Sequence, residues 1–455
     1  MKKKSLLIVC VILCLIALAS LSSCGNIKAV SVWSKVSRAM DKLESYEMNI
    51  STRLVYYIEG NKVTADGDGH AIVDGIGGDD FYYYLKQDIQ TTAPDLEIDQ
   101  SSTAVEAYTG GYYYVRNKTR GVDNKICGEM SYKDFTEYVD TSAIPSFNLS
   151  GCKKVQTKKH SDGTRTITCS EYNSGTVEEI VECLGAEAYI FGYNVKDVKI
   201  SVTYDKDFRI KRMTYAFVFD VSEGITKRPS FSMSATYTKY NEAERTEEYI
   251  KKSGYTEVEN IKLLNDIQNK LNELAINEKG RFSVEIEESF TTFGVSAVYK
   301  EKSHVDYGSK RGKFYYDISS VINDEEYTIK YGDGKQITRG ATSKDRDQTE
   351  QEAREFIMNL MNPAGFRRAN ISNIVSKGGG EYELECRSLN FLAYKSLLES
   401  NDIIYQSSTQ KITVKVASDG EIVRIESEIA IDGKISEKNV SVGARLVVKT
   451  KNSYN

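Results

Sequence analysis

Apolar residues at Val32, Val36, Ala39, Met40 and Leu43 recur at three- and four-residue spacing, which predicts an amphipathic helix over residues 29–44. The period then changes to two. Tyr46, Met48, Ile50, Thr52, Leu54, Tyr56 and Ile58 fall on every second position, as in a strand with one buried face, and Gly60-Asn61 turns the chain. The same progression returns later as a helix near 258–275 and strands from Phe282 through Ile318. The clearest hairpin is Ile200, Val202 and Tyr204, the turn Asp205-Lys206-Asp207, then Phe208 and Ile210; Asp419-Gly420 marks its counterpart. Residues 241–256, "NEAERTEEYIKKSGYT", are charged and lack alternation, so they read as a linker.

These correspondences extend along the whole chain. Phe81-Tyr82-Tyr83 matches Phe314-Tyr315-Tyr316, and "YTGGYYYVR", ending at Arg116, matches "YGDGKQITR", ending at Arg339. A helical stretch ending in Pro145 to Phe147 matches one ending in Pro363 to Phe366. "CSEYNSGTVEEIVECL", Cys169 to Leu184, matches "CRSLNFLAYKSLLES", Cys386 to Ser400, and "ISVTYDKDFRIKRM" from Ile200 matches "ITVKVASDGEIVRI" from Ile412. The separation shrinks from each pair to the next. Chance matches would scatter, whereas a second copy shortened by successive deletions gives this trend. The expected organisation is two domains, 32–244 and 257–452. Each has a leading helix, long antiparallel strands, a middle helix or two and further strands, an α+β class.

The N-terminus sets the compartment. Lys2 to Lys4 precede an apolar run from Leu6 to Leu21, then Leu21-Ser22-Ser23-Cys24 followed by Gly25. A basic start, a short apolar run and small residues describe a secretory signal over 1–23, since a spanning helix needs ~20 apolar residues. An uncleaved anchor is the alternative that the length argues against. Leu21 to Cys24 is similar to a bacterial lipobox. That resemblance implies a diacylglyceryl or palmitate-type modification of Cys24, a lipidated tether over 24–31, and a chain held on the extracytoplasmic face of the cell membrane. Two acyl chains hold a protein stably where one does so marginally. The formal net charge is −5, and removing residues 1–23 takes away three lysines and no acid. An acidic body argues against nucleic acid as a partner and leaves membrane attachment to the lipid.

A lipobox, a leading helix, long strands, a middle helix and late "DG" hairpins together resemble the Lol-type lipoprotein carriers and the LppX/LprG-like lipoproteins. The resemblance implies a half-barrel sheet wrapped around helices and an apolar cavity, here in two tandem copies. It implies no catalytic residue. The leading functional expectation is a lipoprotein, monomeric, that binds or shields a lipid or other hydrophobic ligand. The alternative is a surface interaction or sensor module for a protein or glycan, with cavities filled by its own side chains.

Reaction chemistry is not expected. His70, His160 and His304 are the only histidines, and none lies in H-E-x-x-H; G-x-S-x-G and a P-loop are missing too. No enzyme, cofactor or metal site follows. "ADGDGH" at Ala65 to His70 and "DGIGGDD" at Asp74 to Asp80 lack the positions of a calcium or dinucleotide loop and read as hairpin connections; His160, in a turn signal, reads as solvent-exposed. Tyrosine is in excess, 31 residues against 15 Phe and one Trp. Tyr82-Tyr83-Tyr84 and Tyr112-Tyr113-Tyr114 lie on strands, so each triplet puts rings on both faces, one of them expected to be more exposed. Two roles are open for these rings: covering a wet sheet face, or lining a groove for an amphipathic ligand, with Tyr82, Tyr84, Tyr112, Tyr114 and Tyr315 as candidates. Beyond Cys24 the mature cysteines are Cys127, Cys152, Cys169, Cys183 and Cys386, an odd number. Cys152 and Cys169 flank the turn signal "HSDG", where a bridge across a hairpin is one option. The other is that Cys169, like Cys386, is a buried reduced thiol acting as a small hydrophobe.

Overall fold

Long runs of alternating β-formers become long strands, and in a computed structural model they assemble into two large open antiparallel sheets. The structure describes residues 31–454 apart from 59–60, 97, 120–121, 140–151, 173–194, 220–227, 247–249, 251, 277–278, 293–294, 311–312, 342, 362–365, 367–370, 387–403 and 438–439. The first copy begins with helix α1 (31–40) and continues through β1 (Ser45–Ile58), β2 (Asn61–Asp74), β3 (Tyr82–Ala93), β4 (Ile98–Thr109), β5 (Tyr112–Thr119) and β6 (Val122–Glu129). Helix α2 (Tyr132–Tyr138) follows, then β7 (Cys152–Lys159), β8 (Arg165–Tyr172), β9 (Val195–Tyr204), β10 (Ile210–Phe219) and β11 (Ser230–Tyr240). A two-residue strand β12 (Thr256–Glu257) leads to α3 (Leu263–Ile276). The second copy runs β13 (Lys279–Thr292), β14 (Val295–Lys310), β15 (Lys313–Ile322), β16 (Glu325–Gly332), β17 (Lys335–Arg339), β18 (Lys344–Asp347) and α4 (Glu350–Met361). It ends with β19 (Ile371–Gly378), β20 (Glu381–Cys386), β21 (Ile404–Val416), β22 (Ile422–Glu437) and β23 (Val440–Tyr454).

The two sheets share one topology. The first runs β6-β5-β4-β3-β2-β1-β11-β10-β9-β8-β7, with β12 added in parallel outside β6; the second runs β18-β17-β16-β15-β14-β13-β23-β22-β21-β20-β19. In each, the chain meanders outward from a central first strand, restarts at the opposite edge and meanders back until its last strand pairs with its first. The matched motifs occupy equivalent strands: Phe81 and Phe314 border or open β3 and β15, while Cys169 and Cys386 lie on β8 and β20. With 70% strand and 12% helix the described residues are mostly β, not the more even α+β mixture expected from the sequence. The helical segments that followed Cys169 and Cys386, and Pro145 to Phe147, lie outside the described residues. The predicted helix 29–44 is realised over 31–40, and Ser45 already begins β1.

The described residues form two compact units. One holds α1, β1–β3, the first residues of β4 and β7–β11; the other holds the rest of β4, β5, β6, α2, β12, α3 and the whole second sheet. In the first, Val36 and Met40 of α1 are fully buried, and Met40 lies against Ile210 at the start of β10. In the second, Phe135 of α2 stacks on Tyr108 at 4.5 Å and meets Tyr113 at 5.7 Å. Phe356 of α4 lies on Tyr316, whose hydroxyl is held between Gln336 and Gln348.

The last strand also fastens a helix end. The final carbonyls of a helix lack intrahelical partners, and Asn452 Nδ2 donates to Leu360 O and Met361 O at 2.7 and 3.2 Å while Tyr454 Oη donates to Met361 O at 3.0 Å. Asn452→Ala is therefore expected to lower unfolding stability by about 1–3 kcal/mol, with Tyr454→Phe costing less, as measured by urea denaturation. An unchanged midpoint for Asn452→Ala would show that these carbonyls are satisfied without it.

Two stretches differ from expectation. "ADGDGH" is not a connection but the middle of β2, because Gly67 and Gly69 leave room for neighbours: a Cβ on Gly67 would stand 2.4 Å from Thr52 Oγ1, and one on Gly69 2.9 Å from Lys86 O. "DGIGGDD" does connect β2 to β3, and two of its acids, Asp74 and Asp80, are held by a cation of the chain itself. Arg245 Nε contacts Asp74 at 2.6 Å and Nη1 contacts Asp80 at 2.8 Å. The 241–256 segment is thus no free spacer: Arg245 also lies over the Tyr82 ring at 5.5 Å, and Tyr255 meets Tyr114 edge-on at 5.3 Å. Its lack of alternation reflects ring-by-ring packing onto sheet ends, which has no sequence period.

Candidate functional site

Strand register brings the solvent-side positions of the first sheet into rows. Asn49, Ser51 and Arg53 alternate with the buried-side residues of β1 and are exposed. His70, Asn49, Thr236, Arg212 and Thr203 stand opposite one another across β2, β1, β11, β10 and β9. The next row is Asp68, Ser51, Ser234, Thr214 and Ser201, and the third is Asp66, Arg53, Ser232, Ala216 and Lys199. A groove of about 770 Å³ lies along the β2, β1, β11 and β10 part of these rows. It also touches Ile50, Tyr215 and Met233, whose side chains alternate to the other face. Within it Arg212 Nε donates to Ser234 Oγ at 2.9 Å, and the lining Asn49 Oδ1 lies 3.0 Å from Nδ1 of His70, which does not itself line the groove. The polar part of the lining is therefore chiefly hydroxyl, with Arg53, Arg212, Asp68 and the one amide of Asn49.

The second sheet carries a groove of about 710 Å³ on the equivalent strands, with different chemistry. Lys300, Glu287, Lys449, Glu428, Lys411 and Glu385 stand opposite one another across β14, β13, β23, β22, β21 and β20, in strict alternation of sign. The adjoining row reads Val321, Lys302, Glu285, Lys451, Glu426, Thr413 and Glu383. Lys300–Glu287, Lys302–Glu285 and Lys451–Glu285 close to 3.1, 3.2 and 3.5 Å. Opposite charges facing each other across strands stabilise a sheet and satisfy one another. This surface is self-neutralised.

The tyrosine candidates sit elsewhere. Tyr82, Tyr83 and Tyr84 are all buried, so neither face is open there, and Tyr113 and Tyr114 are buried as well. Tyr112 and Tyr315 are half-buried. Covering of both faces overturns the expected exposed side, because α2 packs on one face of β5 and Tyr255 on the other. None of Tyr82, Tyr84, Tyr112, Tyr114 and Tyr315 lines either groove. Their hydroxyls tie the protein together, as where Tyr112 donates to Glu129 at 3.0 Å and Tyr113 to Glu106 at 2.9 Å. His160 is half-buried rather than exposed, held by Thr166 at 2.7 Å. Cys386 ends β20 and is half-buried instead of fully buried, though its sulfur is enclosed enough that burial pushes the thiol up to about 12. Cys24 and Cys183 lie outside the described residues. The groove residues were missed because their only sequence signal is being the polar half of an alternating strand.

No family model and no curated protein matches the chain. Among solved structures, the chain is similar to the ywiB protein from Bacillus subtilis at 9% identity, covering 39% of this chain and 94% of that one, with a TM-score of 0.13. A DUF1329 family protein from Desulfovibrio piger matches at 12% identity over 43% of this chain and 93% of its own, with a TM-score of 0.17. A putative AttH from Nitrosomonas europaea matches at 7% identity over 90% and 93%, with a TM-score of 0.15. TM-scores of this size establish no shared fold. The site must be read from its own residues.

Among those described, no cluster of His, Cys, Asp and Glu is arranged to hold a metal ion, and no helix is long and apolar enough to cross a membrane. The charged face of the second sheet has a pH signature. Hydrogen bonding from Lys411, at 2.6 Å, and then from Lys377, at 3.2 Å, holds the Glu383 carboxyl below its ordinary range. A depressed carboxylate stabilises the folded state above its unfolded pKa, and that contribution is lost as pH falls through the folded value. Stability is thus expected to decline on acidification from the ordinary carboxylate range downward, and less steeply in Glu383→Gln. Identical slopes in urea titrations across that range would remove Glu383 from the account.

Proposed function

We propose that the chain is a membrane-tethered lipoprotein of the extracytoplasmic face, acylated at Cys24. In this reading its first sheet offers the groove on β1, β2, β10 and β11 to a polar ligand, a glycan or a protein surface. The protein binds and does not catalyse, and it acts as a monomer. One observation carries the choice between the two functions left by the sequence: the first groove is lined by rows of Ser, Thr, Asn and Arg. Holding an acyl chain draws on ~25 cal/mol per Å² of apolar contact, and the apolar side chains at this groove, Ile50, Tyr215, Ala216 and Met233, are interspersed with hydroxyls and charges. Hydroxyl rows suit a ligand that exchanges hydrogen bonds with water for hydrogen bonds with protein.

The second reading is the lipid carrier, with each copy a half-barrel wrapped around helices and an apolar cavity. It is favoured by α1 and α4 packing on the apolar faces of their sheets. One pair of measurements separates the two. Under the first, binding to a glycan and peptide array falls at least about tenfold in the combined Ser51→Ala, Thr214→Val, Ser234→Ala variant, since each lost hydrogen bond costs about 1 kcal/mol. Array binding indifferent to these substitutions, with a stoichiometric non-covalent lipid in native mass spectra, would replace it with the carrier.

A further inference from the structure

The β7–β8 hairpin holds two thiols that the groove does not use. Cys152 and Cys169 are both buried thiols, 1% and 2% exposed. In the ladder Cys152 stands opposite Tyr172 and Cys169 opposite Val155, which in a regular hairpin would put the two cysteines on opposite faces. Glu171 breaks the alternation with a left-handed backbone, φ +58°, so Cys169 and Tyr172 both turn inward while Glu171 stays exposed. Cys152 follows them into the same pocket. Its Sγ lies 3.2 Å from Lys154 O and 3.7 Å from the carbonyl oxygen of Ser170, the residue that follows Cys169. The Tyr172 hydroxyl is buried there, and the ionisable groups that act on it are these two sulfurs. Among the described residues strand β7 is the edge of its sheet, laddered on one side only, to β8.

We propose that Cys152 and Cys169 are a dithiol site that forms a reversible disulfide, locking the edge hairpin, by exchange with a low-molecular-weight disulfide. This does not depend on what the groove binds. Hydrogen bonding from Cys169 favours the Cys152 thiolate, whereas that bond and burial hold the Cys169 proton on. Cys152 is therefore the attacking group. Its sulfur bonds to one sulfur of RSSR, the S–S bond breaks, and RS⁻ leaves and takes up the proton that Cys152 gave up. With the Cys152 charge consumed, Cys169 loses its proton, its sulfur attacks the Cys152 sulfur, and the second RS⁻ departs as RSH. The pair gives up two electrons and two protons, and RSSR is reduced to two RSH.

The test incubates the full chain, purified in detergent, with glutathione disulfide over a series of ratios to glutathione, followed by acid trapping, alkylation and peptide mass spectrometry. A peptide linking Cys152 to Cys169 is expected while Cys127 and Cys386 remain alkylated thiols, with full reversal by dithiothreitol. Cys169→Ser should accumulate the glutathione adduct on Cys152, and Cys152→Ser should give about tenfold less adduct on Cys169, in line with their thiolate character. The linked peptide is read from the unsubstituted chain, so a variant that misfolds does not spoil the test. Alkylation of both thiols at every ratio, or linkage of either to Cys183, would overturn the proposal.

Discussion

Cys24→Ala is expected to abolish membrane retention: the variant should leave the membrane fraction or accumulate as an unprocessed precursor. The proposed acceptor is a single sulfur at the end of Leu21-Ser22-Ser23-Cys24, and no other residue of these four can carry a thioether. Each buried CH₂ of an acyl chain contributes about 0.8 kcal/mol to membrane partitioning, so losing two chains removes far more than any exposed charge of an acidic body can restore. Incorporation of labelled palmitate and fractionation of cells expressing each form would measure it. A Cys24→Ala protein that matures and sediments with membranes like its parent would refute the lipobox.

The next largest effect is in the second sheet. Leu446 is 1% exposed and stands between Phe290 on β13 and Ile431 on β22, directly opposite both, with Ile429 and Val448 alongside. Truncating it leaves a cavity walled by strands that cannot collapse inward without breaking their ladders. Leu446→Ala is expected to cost about 2–5 kcal/mol. Val298, 51% exposed, is the control, and Val298→Ala should stay within about 0.5 kcal/mol. Glu428→Ala, on the charged face, should cost no more than about 1 kcal/mol. If Leu446→Ala and Glu428→Ala destabilise equally in urea, the face taken as apolar core is not what holds the sheet.

The candidate site was half legible. That Asn49, Ser51 and Arg53 are the wet side of a strand follows from Tyr46, Met48 and Ile50 being the dry side. That they meet Thr236, Ser234 and Ser232 requires the last strand to return to the first, a pairing of residues far apart in the chain. The tyrosines misled for the converse reason. Periodicity puts rings on both faces, but whether a face is wet depends on what packs there, and both Arg245 and Tyr255 come from a stretch whose sequence reads as spacer. The thiol pair shows the same limit at short range, since one left-handed residue, Glu171, changes which side chains share a face.

The sequence by itself supplied the expectation of a secretory and acylation signal, alternating strands such as those around 46–58 and 200–210, and motifs recurring in the same succession, because each is written in local order: charge then apolar run then cysteine, and period two against period three to four. Only the tertiary structure decided that both sheets adopt one strand order, that the equivalent grooves carry hydroxyls in one and a charge ladder in the other, and that Tyr82, Tyr83, Tyr84, Tyr113 and Tyr114 are buried. Those properties belong to pairs of residues brought together by strand register and by segments folding back. The free energy of such pairing depends on the partner across the sheet, which no local pattern specifies.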